Sequence, residues 1–291
     1  MVVDDDLRVF SPDEVPHEVD HCDATGCAVW IKAPIAAGTA SVYFRHPASV
    51  APAPPPAEPV AELWADFTHV FHFSSGARRR NSRTGTDDLG ENLPVAMIDA
   101  AGLVGSGIVC GPDAAGVTLT STTLAAFSSN YTLSLLLQTP GTATRTFTEG
   151  TAAGTPVLSH GIDDLRLVNA RHDVPQQALF GSVLQANQRT LVAFRQELEM
   201  KSRTLNIVIA DDTQVRISSP SPVALEPLTA VDTLWLCGQE AAPAATAVTI
   251  DEVRLVASER ISEQLRADFQ AARLDRTTAE VVCIDGTCPD R

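Results

Sequence analysis

Residues 131–138 read YTLSLLLQ, and the period of two in this stretch decides the fold. Tyr131, Leu133, Leu135 and Leu137 fall on one side of an extended chain, and Thr132, Ser134, Leu136 and Gln138 on the other. That alternation predicts a strand with one wholly apolar face. Working outward, LNIVIA (205–210) places Leu205, Ile207 and Ile209 together, and VDTLWLC (231–237) and VTIDEVRLVA (248–257) follow as further strands. The last of these is apolar enough on both sides to be central in its sheet. Toward the N-terminus, AVWIK (28–32) and SVYFRH (41–46) show the same period. Serial short strands divided by Gly, Pro, Ser and Asp turns predict an all-β, antiparallel sandwich rather than a βαβ fold.

Two stretches interrupt the pattern. PASVAPAPPPAEP (47–59) is dense in proline, which removes amide donors and favours an extended spacer. SEQLRADFQAAR (262–273) predicts a helix. Ser262 is a good N-cap, Glu263 suits the positive helix start, and Ile261, Leu265, Phe269 and Ala272 form an apolar stripe. The organisation that follows is a small β-rich segment at 1–46, a linker at 47–59, a sandwich over 60–275 and a cysteine-containing tail at 276–291.

Composition narrows the function. With 44% hydrophobic residues over 291 positions the chain can bury a large core. A net charge of −15 disfavours nucleic acid, since little here could neutralise a run of phosphates. No stretch is long and apolar enough for a membrane span, so membrane insertion is not expected. The N-terminus, MVVDDDLRVF, is acidic where a secretory leader is basic and then apolar. Export would therefore follow removal of a leader or another route.

The six cysteines are evenly arranged: Cys22 with Cys27, Cys283 with Cys288, and Cys110 with Cys237 as a long-range pair. An even count with two short loops reads as disulfides in an oxidising compartment. Reduced, buried thiols are the plain alternative. Zinc held by His17, His21, Cys22 and Cys27, or by the two C-x4-C hooks, is a third.

Three stretches carry a resemblance. DLRVF (6–10), followed by Pro16, Glu18, Trp30, Lys32, Pro34, Gly38, Tyr43 and Pro47, resembles the second half of a domain of unknown function in bacterial and archaeal surface and pilus-associated proteins. ELWADFTHVFHFSSG (62–76) with NSRTGTDDLGENL (81–93) resembles the start of laminin-G-like modules. TIDEVRLVASERISEQLRADFQ (249–270) resembles their end, with GLVGSGIVC (102–110) and the 131–138 strand falling between as expected. The resemblance implies a concanavalin A-like jelly roll and an extracellular, cell-surface or virus-particle setting. It also implies that Asp251 could ligate a structural Ca²⁺ with backbone oxygens, as hard oxygen donors do. In the alternative, Asp251 caps a turn and Glu252 pairs with an arginine.

Catalytic motifs are missing: there is no G-x-S-x-G and no H-E-x-x-H, and Glu197 and Glu199 in QELEMK lack a third acid. No enzyme is expected. His69 and His72 lie three apart on a strand and so point to opposite faces, with His72 expected in the core. Arg78, Arg79, Arg80 and Arg83 form the basic cluster of a very acidic chain and are read as a contact with an acidic neighbour, another copy of this protein included, or as a solvated loop. Aromatic content of 5% weakens a sugar-stacking reading. The leading expectation is a structural component of a surface filament, pilus or virus particle. The alternative is an adhesion module binding glycan or another surface ligand, and a polysaccharide-active enzyme is remote. The N-terminal segment, too small to bury a core alone, is expected to pair with another molecule, carried roughly 40 Å from the sandwich by the extended spacer.

Overall fold

The computed structural model describes residues 8–10, 16–22, 27–31, 43–45, 57–73, 79–90, 100–101, 106–110, 117–119, 130–139, 144–150, 156–163, 166–171, 177–199, 202–210, 215–217, 221–223, 233–237, 248–258 and 260–271. The first strands are β1 (Arg8–Phe10), β2 (His17–Cys22), β3 (Cys27–Ile31) and β4 (Tyr43–Arg45). Helix α1 (Ala57–Leu63) follows, then β5 (His69–Phe71), β6 (Arg80–Asn81), β7 (Thr86–Asp87), β8 (Ala100–Ala101), β9 (Ser106–Cys110) and β10 (Val117–Leu119). The long strands come next: β11 (Tyr131–Gln138), β12 (Thr144–Gly150), β13 (Pro156–Asp163), β14 (Arg166–Arg171), β15 (Gln177–Val183), β16 (Thr190–Glu199) and β17 (Ser202–Ala210). The chain continues through β18 (Val215–Ile217), β19 (Ser221–Val223), β20 (Thr233–Leu236), β21 (Val248–Val256) and α2 (Ser262–Ala271).

Two large sheets result. One runs β10-β20-β12-β13-β14-β15; the other runs β18-β17-β16-β11-β21-β9-β8, with β19 beside β17 and β5 beside β21. The pairings within both are antiparallel, so the expected all-β antiparallel sandwich is the fold. β12 meets β21 and β9 across the space between the sheets.

β11 shows why its sequence reads as it does. It lies between β16 and β21, and Leu133, Leu135 and Leu137 share a face with Val192, Phe194, Ile250 and Leu255. The opposite face carries Thr132, Ser134 and Leu136, which are buried as well. Leu136 joins Val70, Leu191, Ala193 and Val256 in a second apolar layer, closed by Leu63 of α1, Trp64, Phe67, Leu265 and Phe269 of α2, and Trp30 of the N-terminal hairpin. At roughly 1.5–3 kcal/mol for each large apolar side chain removed from water, this layer contributes to stability on the scale of the sandwich core itself.

Three expectations are corrected here. The spacer does not run extended to 59, because α1 begins at Ala57; Pro59 is tolerated there, in the first turn, where its missing amide has no partner to lose. Ile261 is not part of the α2 stripe: it precedes the helix and is 55% exposed, whereas Leu265 and Phe269 are buried. The N-terminal hairpin β2–β3 is not an arm held away for another molecule. Trp30 is buried in the second layer and Glu18 bonds to residues of the sandwich, because this surface supplies the apolar cover that a short hairpin cannot make for itself.

Candidate functional site

The hairpin docks over a row of buried and half-buried charges. Glu18 on β2 accepts from Trp64 Nε1 at 2.5 Å and from Ser82 Oγ at 2.7 Å. Its Oε2 lies 3.3 Å from His72 Nε2, an ion-pair contact without good hydrogen-bond alignment. His72 turns its other nitrogen, Nδ1, to Glu252 Oε1 at 2.6 Å. Arg254 Nη2 donates to Glu252 Oε2 at 2.9 Å, and its Nη1 is 3.9 Å from Asp268, which also takes Arg260 Nη2 at 2.9 Å. With His72 protonated, the six groups from Glu18 to Arg260 alternate in sign, so each buried charge has an opposite neighbour, as burial in low dielectric demands.

Aromatic rings enclose this row. Arg254 lies 4.6 Å from the ring centre of Trp30 and 5.1 Å from that of Trp64, and Arg260 lies 4.7 Å from that of Phe67. His72 stacks on Trp30 at 5.5 Å. Burial alone would push His72 down, but the carboxylates of Glu252 and Glu18 outweigh it and hold the imidazole well above its ordinary range. Burial likewise pushes Glu18 and Glu252 up. Glu18 is nevertheless held below its ordinary value by His72, with the Ser82 and Trp64 bonds assisting, and Glu252 is held down by His72 and Arg254.

A backbone irregularity builds the row. Ser134 pairs with Arg254 and Leu136 with Asp251, so β21 carries one extra residue there. At this bulge β21 changes neighbour along one edge, from β9 to β5, and Glu252 takes φ 49°. The extra residue resets the alternation, which lets Asp251, Glu252 and Arg254 share the face that His72 approaches. Asp251 Oδ1 accepts the Glu252 amide at 2.7 Å, steadying the bulge.

Next to the row stands the β6–β7 hairpin. Asn81 is fully buried and pins it: Oδ1 accepts from the amides of Val70 and Arg83, both at 3.0 Å, while Nδ2 donates to Thr68 O at 3.2 Å and Asp88 Oδ2 at 2.7 Å. Ser82, bonded to Glu18, ties the same hairpin to the N-terminal one. Asp88 is 3.8 Å from His69, whose burial holds it below its ordinary value despite that acid.

The sequence-selected residues fall as follows. Asp251 is 1% exposed and committed to the bulge, and no group of three or more His, Cys, Asp or Glu among the described residues could hold a metal ion. Glu252 pairs with an arginine, Arg254. Cys22 and Cys27 stand directly opposite each other on β2 and β3, where Cα atoms lie within disulfide reach. Cys110 ends β9, and Cys237, at φ 66° just after β20, is disulfide-bonded. Cys283, Cys288 and Arg78 lie outside the described residues. Arg79 turns inward, its Nε donating to Leu89 O at 2.6 Å, whereas Arg80 is exposed and Arg83 half-buried. Glu197 and Glu199 lie on β16 opposite Thr204 and Ser202.

No family model and no curated protein matches the chain. Among solved structures the sandwich resembles botulinum neurotoxin binding domains. One, described as the receptor-binding domain of the mosaic serotype C/D, superposes with a TM-score of 0.52 at 8% identity over 72% of this chain and 51% of its own. Another, the serotype D/C binding domain, gives 0.51 at 10% identity over 72% and 53%. The chain thus spans about half the length of these neighbours, and at such identities the likeness is one of fold. It supports the antiparallel β-sandwich and does not single out the laminin-G variant.

Reasoning from sequence missed Glu18, Trp64, Ser82, Asn81 and Arg254 as parts of one site. Local spacing could have linked Glu252 with Arg254. The contacts of Glu18 with Trp64 and Ser82, 46 and 64 positions away, leave no trace in spacing.

Proposed function

We propose that the chain is a non-enzymatic recognition module that binds a glycan or another surface ligand outside the cell. The observation that carries this reading is the sandwich itself, an architecture it shares with a domain described as receptor-binding. Among the described residues, the buried carboxylates of Asp251 and Glu252 and the half-buried one of Glu18 are each bonded inside the chain. A structural component of a filament, pilus or particle is the second reading. It leaned on an N-terminal segment in need of a neighbour, and that segment has its buried partner in its own chain.

The test is a glycan array probed with the intact chain, with and without Ca²⁺. Selective, saturable binding is the expected result. Featureless arrays in both conditions would overturn the recognition reading. New reducing ends released from a bound glycan would overturn its non-enzymatic part.

A further inference from the structure

We propose that the β6–β7 hairpin is an anion subsite, in which Arg80 and Arg83 take the carboxylate or sulfate of an acidic glycan. The inference rests on the recognition reading and says which sugars it favours and where they sit.

The three described arginines of this region divide into two roles. Arg79 is used inside the fold, on Leu89 O. Arg80 and Arg83 have no ion-pair partner among the described residues, although Asp87 stands directly opposite Arg80 in the hairpin register. The Arg80 guanidinium lies back over the turn, so that a Cβ at Gly85 would come 3.4 Å from Nη2. Gly85 itself sits at φ 75°, where a side chain would be strained. Arg83 and Thr84 belong to that same turn, so both guanidinium-bearing residues and an exposed hydroxyl gather at one tip.

Charge and rigidity make the tip suited to an anion. Asp88 is turned to Asn81 and Thr86 and keeps its charge, so among the described residues of this hairpin Arg79, Arg80 and Arg83 stand against Asp87 and Asp88. The tip stands on Asn81, whose amide fills four hydrogen bonds and fixes the platform to β5 and to the turn. A guanidinium matches a planar or tetrahedral oxyanion through paired N–H bonds, and a preformed platform loses little entropy on binding. Thr84 and Thr86, bonded to each other at 2.6 Å and exposed, offer hydroxyls to a sugar.

The net charge of −15 chooses among anionic partners. An acidic protein, a second copy of this chain included, meets that field over its whole contact area. A single anionic group on a sugar meets chiefly the local arginines, since distant charges are screened beyond about 8–10 Å.

Three size-matched probes test the proposal on the full chain: a neutral oligodextran, the same oligodextran ending in one glucuronate for carboxylate, and the same ending in one sulfate ester for sulfate. At least one acidic probe should bind more tightly than the neutral one. The double variant Arg80→Gln/Arg83→Gln should weaken that binding by about tenfold or more, with the thermal midpoint unchanged. Which acidic probe binds identifies the anion. Acidic probes that bind no better than oligodextran, or bind the variant equally well, would overturn the subsite while leaving recognition of neutral glycans standing. Self-association of the native chain that the double variant abolishes would also overturn it, by giving the arginines to a second copy. An array on which nothing binds removes both this proposal and the reading beneath it.

Discussion

His72 sits between two carboxylates, and the sign of each shift decides how the fold answers to pH. Its folded value is raised, so its contribution is fully present below the ordinary imidazole value of about 6.5 and is lost as pH rises through the raised value. Glu18 and Glu252 are shifted the other way. Their contributions are present above the ordinary carboxylate value of about 4.3 and are lost as pH falls through the lowered folded values. His69, held low by burial with Asp88 opposing, costs stability once pH drops below about 6.5 and so adds to the acid limb. Replacing His72 by Gln should lower stability throughout the intervening range, because two buried acids lose a cation between them. It should also flatten the alkaline limb. Urea midpoints recorded across pH check this; an unchanged alkaline slope in the variant would remove His72 from the account.

At the scale of elements, the sequence was legible wherever a local period sets the structure. The 131–138 stretch is a strand over Tyr131–Gln138, 248–257 yields the central strand Val248–Val256, and 262–273 contains the helix Ser262–Ala271, capped one residue earlier than Ser262: Ile261 O accepts from the Leu265 amide and the Ile261 amide donates to Gln264 Oε1. These depend on alternation or on a cap, both written within a few residues. α1 was hidden because proline density around it reads as spacer, although a proline in a first helical turn is no obstacle. The bulge at Glu252 was hidden because an extra residue breaks the count only in relation to β11. The docking of β2–β3 was hidden for the same reason: AVWIK shows a strand, but the cover for Trp30 comes from Trp64, His72 and Arg254, all distant in the chain. This contact sets the next expectation. Trp30→Ala should cost about 3–5 kcal/mol, the range for an excised core tryptophan. Ile261→Ala, at an exposed position that sequence alone would have ranked beside Leu265, should stay within about 0.5 kcal/mol. Chemical denaturation of both variants measures the contrast, and equal losses would contradict the assigned packing.

For the whole molecule the decisive question is whether the N-terminal hairpin belongs to the sandwich or merely precedes it. Residues before 60 supply Trp30 to the second apolar layer and Glu18 to the charge row. Without them Trp64 loses its acceptor and its edge-on ring partner, His72 loses one of its two carboxylates, and Ser82 loses its bond to Glu18. An unbalanced cation row and an uncovered aromatic patch are each costly, and the patch also favours aggregation. The β6–β7 hairpin would remain fixed through Asn81, so the Arg80 tip need not lose its shape even as the fold weakens. A chain lacking residues 1–59 should therefore melt about 10 °C or more below the intact one, given a loss of at least one core tryptophan and roughly 2–4 °C per kcal/mol at this size. It should also lose monodispersity on concentration. Calorimetry with light scattering makes the comparison. An equal melting temperature and a monodisperse shortened chain would mean that the hairpin is an independent arm, and that the charge row does not depend on Glu18.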